Sequence, residues 1–294
     1  MDPQSALADR CTPLLKGRMR GVFKRLPAAL NGDEESIHQM RVAGRRLRVA
    51  LPLLAQKPEG RRVRRAVAIL RQLVRAAGTS RDLDVSLALF EEGLRELGPL
   101  TPEQLVLRRR LRATRTRSRA RMAEALLDIE IAKLRRHLRA IVGRRAESLF
   151  AALVRLRDER ERRGAALFAS LQAPSDRFDP EALHRLRIGA RRLRYMAELR
   201  ETLRGQPSEA PAVFRRLQEQ LGAIRDLFVL SEWLAAQAGA ARARGQQPLA
   251  EEAGRLHELF LEKSRERHRA FLESAPAQVV AKGLEEMGHG RSAA

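Results

Sequence analysis

Two stretches of the chain set one histidine and a group of arginines at the same spacing. The first is Ile37-His38-Gln39-Met40-Arg41-Val42-Ala43-Gly44-Arg45-Arg46-Leu47-Arg48. The second, 146 residues on, is Leu183-His184-Arg185-Leu186-Arg187-Ile188-Gly189-Ala190-Arg191-Arg192-Leu193-Arg194. On a helix advancing about 100° per residue, with His38 at about 0°, Arg45, Arg41 and Arg48 fall on an arc from about 340° to about 280°. Arg46 stands apart near about 80°, and Met40, Leu47, Leu51 and Leu54 form the opposite, apolar stripe. His184, Arg187, Arg191, Arg192 and Arg194 repeat the pattern over Leu186 and Leu193. An arginine-rich face can be the solvated side of an amphipathic helix. Here, however, no carboxylate lies within either stretch, and like charges one turn apart repel. A face that is unfavourable alone, and made twice with histidine at the same place, suits a polyanion. Guanidinium forks match phosphate oxygens and stay charged at any physiological pH.

A second motif also occurs twice. Gly78-Thr79-Ser80-Arg81-Asp82-Leu83 matches Gly222-Ala223-Ile224-Arg225-Asp226-Leu227 at an offset of 144 residues. In each case the glycine is expected to end one helix and the aspartate to sit in the first turn of the next, where it suits the helix dipole. Asp82 and Asp226 are expected to pair with arginine. Arg81 and Arg225 are expected to contact the ligand or orient the motif arginines. Two motifs in the same order at nearly the same spacing point to an internal duplication.

Positioning these residues requires helices almost throughout. Ala, Leu, Arg and Glu dominate, and hairpin signals are scarce. Asp33 is a predicted N-cap, and so is Asp179 before Pro180 and Glu181. Thr101-Pro102-Glu103-Gln104 carries a capping-box signature. Gly44 and Ala190, at the edge of the apolar stripe, predict close helix contact. Breaks are predicted at Lys57-Pro58-Glu59-Gly60, Gly98-Pro99, Ala173-Pro174-Ser175, Gly205 to Pro211, Gly222 and Gly245 to Pro248, with a frayed tail after Gly288. A helix from Pro102 toward Val142, bent near Asp128, and another from Arg144 to Leu171 complete the pattern. The reading is an all-α fold of two halves, 10–145 and 146–290. Each has about four helices packed as an antiparallel bundle. The two related bundles are expected about a pseudo-two-fold axis, with a basic central cavity or groove.

Composition limits the partner. The 294 residues carry 58 Lys and Arg against 36 Asp and Glu, a net charge of +22 and a pI of about 11.5, while 44% hydrophobic content suffices for a core. All but six of the basic residues are arginine. Nucleic acid, an anionic membrane surface and inorganic polyphosphate are the partners such a charge implies. Aromatic content of 4% is poor for stacking on bases, so nucleic acid is expected to bind only non-specifically, at low salt. The single cysteine, Cys11, makes no disulfide within the chain and suggests a reducing compartment. No stretch approaches the roughly 18 uncharged apolar residues of a membrane span, and no secretory leader is evident, so a cytoplasmic location is expected. A Walker-type loop, a His-Glu-x-x-His motif and carboxylate clusters are missing, so no metal, no cofactor and no catalysis are expected. His137, His257, His268 and His289 are scattered and read as surface residues.

The two His/Arg stretches and the two Gly-x-x-Arg-Asp-Leu turns resemble the CHAD family, the conserved histidine α-helical domain, from about residue 10 to 290. The resemblance implies two four-helix bundles related by pseudo-two-fold symmetry, whose basic faces line a central cavity or groove. It also implies binding of inorganic polyphosphate and location at polyphosphate granules. By position His38 and His184 match the family's name-giving histidines. Arg41, Arg45, Arg46, Arg48, Arg187, Arg191, Arg192 and Arg194 match its basic face. The triphosphate-tunnel domain that many relatives carry, with its Glu-x-Glu-x-Lys motif, has no counterpart in this sequence.

Overall fold

The protein is described by a computed structural model covering residues 10–143, 147–172 and 177–288. Met1 to Asp9, Arg144, the predicted Ala173-Pro174-Ser175 loop, His289 and the tail lie outside the described residues. All regular structure among the described residues is helical. The helices are α1 (Cys11–Leu30), α2 (Glu34–Leu54), α3 (Arg61–Ala76), α4 (Gly78–Glu96), α5 (Pro102–Leu127), α6 (Ile131–Val142), α7 (Leu149–Gln172), α8 (Pro180–Arg204), α9 (Ala210–Arg242), α10 (Gln247–Glu273) and α11 (Pro276–Gly288). No helix among the described residues is long and apolar enough to cross a membrane.

Local chemistry sets the ends of the helices that carry the motifs. Asp33 Oδ2 accepts from the Ser36 N–H at 2.8 Å and starts α2. Asp179 Oδ1 accepts from the N–H groups of Glu181 and Ala182 at 2.9 and 3.0 Å and starts α8. Thr101 and Gln104 form the predicted capping box at the head of α5. Gly205, at φ +69°, closes α8 in the left-handed conformation that glycine adopts without a Cβ clash.

Three expectations change. The helix starting at Pro102 does not bend near Asp128 but stops at Leu127, and α6 starts afresh at Ile131. The first half therefore has more helices than the four expected. Gly78 does not end a helix: α3 ends at Ala76, Ala77 forms the joint, and Gly78 opens α4. Gly222 is no turn at all, because it lies buried inside the 33-residue α9. Ala223 and Ile224 continue the helix where Thr79 and Ser80 favour an end.

Among the described residues most of the buried apolar side chains fall in two clusters, and neither belongs to one half of the sequence. One gathers residues such as Leu15, Met40, Leu47, Leu70, Leu138, Leu193, Phe214 and Phe271. The other joins Phe90 and Leu94 of α4 and Leu107 and Leu111 of α5 to Leu230 and Leu234 of α9 and Phe260 of α10. Helix α9 serves both, with Phe214 to Ile224 in the first and Leu227 to Ala241 in the second. The hand-over falls at Arg225-Asp226, so the second motif sits at the seam between the cores. The predicted close contact at Gly44 is present, since a Cβ there would lie 2.9 Å from Val74 Cγ2 of α3.

Candidate functional site

In the first copy of the motif, Asp33 sets the start of α2 and the apolar stripe docks the helix, which brings Arg41 to the α3–α4 joint. The Arg41 side chain is buried and its NH1 donates to the carbonyls of Ala77 and Gly78 at 2.5 and 2.6 Å. Arg41 thereby ties α2 to the N-cap and first residue of α4. Its NH2 lies 4.0 Å from Asp82 Oδ1. Gly78 packs beside this guanidinium: a Cβ there would meet NH1 at 3.8 Å, an ordinary contact.

In the second copy Arg187 occupies the equivalent place against Gly222, where a Cβ would lie 3.5 Å from its Nε. Because α9 is unbroken, its carbonyls are used within the helix. Arg187 Nε is enclosed and has no hydrogen-bond partner. Facing it is Asp226, whose carboxyl is pushed up by burial and then by neighbouring Asp82, against the opposing pull of Arg187, Arg81 and Arg225. The two Arg-Asp motifs thus meet, and neither aspartate has its neighbour in sequence as its main counterion.

Each histidine has matching surroundings. His38 is held below its ordinary pKa first by burial and then by Arg81, with Arg41 and Arg45 adding and Glu35 opposing. His184 is held down first by burial and then by Arg225, with Arg187 and Arg191 adding and Glu181 opposing. Both imidazoles are therefore neutral at pH 7. Between them lie Arg45 and Arg191. Burial and then Arg45 push Arg191 down to about 9. Burial lowers Arg45, against the opposing pull of Tyr195, with Arg187 adding to the lowering. Arg48 is lowered by burial and by the charges of Arg71 and Arg45. Among the described residues, Arg45, Arg48, Arg81, Arg187, Arg191 and Arg225 make no ion pair with a carboxylate. The guanidinium of Arg225 rests 5.5 Å from the Phe228 ring centroid. Nε of Arg45, Arg48, Arg187 and Arg192 and Nδ1 of His184 are enclosed without a hydrogen-bond partner. Each such polar atom is costly to leave unpaired, and together they suit an acceptor-rich ligand.

The remaining motif arginines, Arg46, Arg192 and Arg194, are paired with carboxylates that they share. Arg46 forms a bidentate pair with Glu198, at 2.7 and 2.9 Å, across 152 residues. Burial would lower Arg46, but the bonds to Glu198 outweigh it and raise its pKa. Arg194 donates to the same carboxylate at 3.1 Å. Tyr195 lies between them, with the two guanidinium carbons 5.7 and 5.9 Å from its ring centroid. Arg192 donates to Glu159 at 3.0 Å and is pushed down to about 10 by burial and then by Arg163.

A family model for the CHAD domain matches residues 14–235. The chain belongs to the CHAD-domain family. Two solved structures share the fold. The crystal structure of the CHAD domain from the plant Ricinus communis superposes with a TM-score of 0.63 at 23% identity, covering 94% of this chain and 90% of that one. PptA from Streptomyces chartreusis gives 0.62 at 19% identity, covering 90% and 98%. No curated protein sequence matches.

Within this CHAD domain, sequence reasoning missed Glu198, Glu159 and Tyr195. The isolated wheel position of Arg46 was the available signal that it points to a different neighbour. His268 corrects the surface reading: it is buried, its ring centroid 5.6 Å from that of Phe178. His257 is half-buried and pairs through Nδ1 with the Ser231 carbonyl at 2.9 Å. Among the described residues, no group of three or more His, Cys, Asp or Glu side chains is placed to hold a metal ion.

Proposed function

We propose that the chain binds inorganic polyphosphate across the seam where the two motif copies meet, and that this binding brings it to polyphosphate granules. The observation that carries the reading is the set of arginines without carboxylate partners around two neutral histidines, with enclosed donors that nothing in the protein accepts. Arg45 and Arg191 stand at its centre, with His38, Arg48 and Arg81 on one side and His184, Arg187 and Arg225 on the other. We read the matched surroundings of the two histidines as the local mark of a duplicated, pseudo-two-fold arrangement of helical bundles. Multidentate contacts would make affinity rise with ligand length until the seam is filled, and fall with salt as counterion release is worth less. The chain acts in this reading as a binder and organiser, not a catalyst.

Calorimetric titration with size-fractionated polyphosphate, beside inorganic phosphate and duplex DNA at about 150 mM salt, tests this. Length-dependent polyphosphate binding that survives at a salt where DNA is released supports the reading. Equal binding of all polyanions per charge would reduce it to the diffuse field of a +22 protein. Reversing Arg45 and Arg191 together (R45E/R191E) is expected to remove polyphosphate binding while the helical spectrum stays unchanged. Survival of binding with the same salt slope would overturn the paired-face site.

A further inference from the structure

A second concave site lies at the far end of α3. The α3–α4 joint held by Arg41 is at the C-terminal end of that helix, and its N-terminus is about 24 Å away at ~1.5 Å per residue. There a cavity of about 420 Å³ opens between the turn after α2, the first turn of α3 and the outer face of α6. That size falls in the range of roughly 300–1,000 Å³ that holds small organic ligands.

Its chemistry is divided. The deep wall is apolar, made by Val63 and Ile141 with neighbouring alanines. The rim carries Lys57, Arg61, Arg62 and Arg65, which are exposed and form no ion pair with a carboxylate among the described residues. Glu59, the carboxylate of the intervening turn, is not part of the lining. His137 of α6 completes the wall, and its Nε2 is enclosed without a hydrogen-bond partner. Burial and the charges of Arg65, Arg136 and Arg62 hold that imidazole below its ordinary pKa, which leaves it a neutral ring with one unanswered nitrogen. The backbone adds to the same end. No side chain caps α3, and no acidic residue occupies its first turn. Gly60 permits the tight approach of the turn, since a Cβ there would lie 3.0 Å from the Lys57 carbonyl oxygen.

We propose that this cavity binds a small organic phosphate. Its phosphate groups would lie at the uncapped start of α3 among Arg61, Arg62 and Lys57, and its apolar body would lie against Val63 and Ile141 beside His137. Inorganic polyphosphate has no part that the apolar wall could take, so this site and the seam differ in ligand class. The cavity shares no lining residue with the motif arginines, and the proposal stands or falls apart from the polyphosphate reading.

The test uses ATP as the probe, with tripolyphosphate, which lacks an apolar body, and adenosine, which lacks phosphate, as controls. Binding is measured by calorimetry on the full chain and on R45E/R191E. ATP is expected to bind R45E/R191E with one-to-one stoichiometry and more tightly than either control. Arg62→Glu and His137→Ala, each made separately in the otherwise intact chain, are expected to weaken ATP at least tenfold and leave binding of long polyphosphate unchanged. Loss of ATP binding in R45E/R191E with its fold intact, indifference to both cavity variants, or tripolyphosphate matching ATP at this site would each overturn the proposal. The two cavity variants keep the test valid should R45E/R191E fail to fold, because neither residue belongs to a buried core.

Discussion

The two motif copies are alike in sequence and unlike in what their first arginine does. Arg41 is buried and bonded to two carbonyls at the joint between α3 and α4. Arg187 stands in the same register against a helix that never breaks, with its Nε unanswered. Helix continuity makes the difference. At the joint the Ala77 and Gly78 carbonyls are open to a side-chain donor, and Arg41 reaches them. Along unbroken α9 the Arg187 Nε finds no acceptor, and its guanidinium faces Asp226. One copy therefore bonds to the backbone of the fold, while the other holds a guanidinium with an unanswered donor.

That contrast can be broken by experiment, and the largest effect is expected at Arg41. Two hydrogen bonds from a charged donor, at roughly 1.5–3 kcal/mol each, predict that Arg41→Ala loses at least about 3 kcal/mol in urea unfolding. Arg187→Ala removes an unpartnered Nε together with the pull of that charge on Asp226, so its stability should fall by less than that of Arg41→Ala, by about 1–2 kcal/mol. Its affinity for long polyphosphate should instead fall about tenfold or more, the effect of removing one charge-assisted hydrogen bond to the ligand. Equal destabilisation by the two variants would show that the copies are equivalent and that Arg187 has a structural partner.

Much of this contrast was within reach of the sequence. Both motifs, the all-helical character and the caps at Asp33, Thr101 and Asp179 depend on residues within one turn of each other, and such local chemistry is legible. The unequal glycines were legible in part. Thr79-Ser80 and Ala223-Ile224 differ in helix preference, but the shared Gly-x-x-Arg-Asp-Leu pattern suggested equal turns. The pairing carboxylates were not legible. Glu198 lies 152 residues from Arg46, and Glu159 lies 33 from Arg192, so no periodicity connects them. The mixing of both halves in each core is likewise a long-range fact, set by how the helices dock.

The histidines should behave alike where the arginines differ. Each is held below its ordinary pKa by burial first and then by flanking arginines. A bound polyanion would raise both values, so binding takes up protons. Affinity should therefore rise as pH falls through the bound-state pKa toward the free-state one. Stability of the free protein has the opposite sign: a depressed histidine contributes stability above the unfolded value near ~6.5, which is lost as pH falls toward the folded one. His38→Ala and His184→Ala should each flatten the pH dependence of polyphosphate affinity by about the same amount and cost roughly 1.5–3 kcal/mol of binding at low pH, the worth of one charge-assisted bond. A flat profile in the wild type would remove the histidines from the site. A one-sided effect would show that the ligand engages a single copy.

The smallest expected effect tests helix continuity itself. Gly222 lies in the interior of α9, where glycine costs roughly 0.5–1 kcal/mol relative to alanine. The methyl of Gly222→Ala would meet Arg187 Nε at 3.5 Å, an ordinary contact, so the substitution should stabilise the protein by about that amount. Gly78 opens α4 at the joint, where helix propensity counts for less. Its methyl would meet Arg41 NH1 at 3.8 Å, and Gly78→Ala should change stability by less than Gly222→Ala does. Thermal unfolding of the two variants side by side gives the order. If Gly222→Ala destabilises instead, the slot for Arg187 is filled by the guanidinium as tightly as the carbonyl cradle holds Arg41. The freedom of Arg187 would then have to be sought in its charge and not in its space.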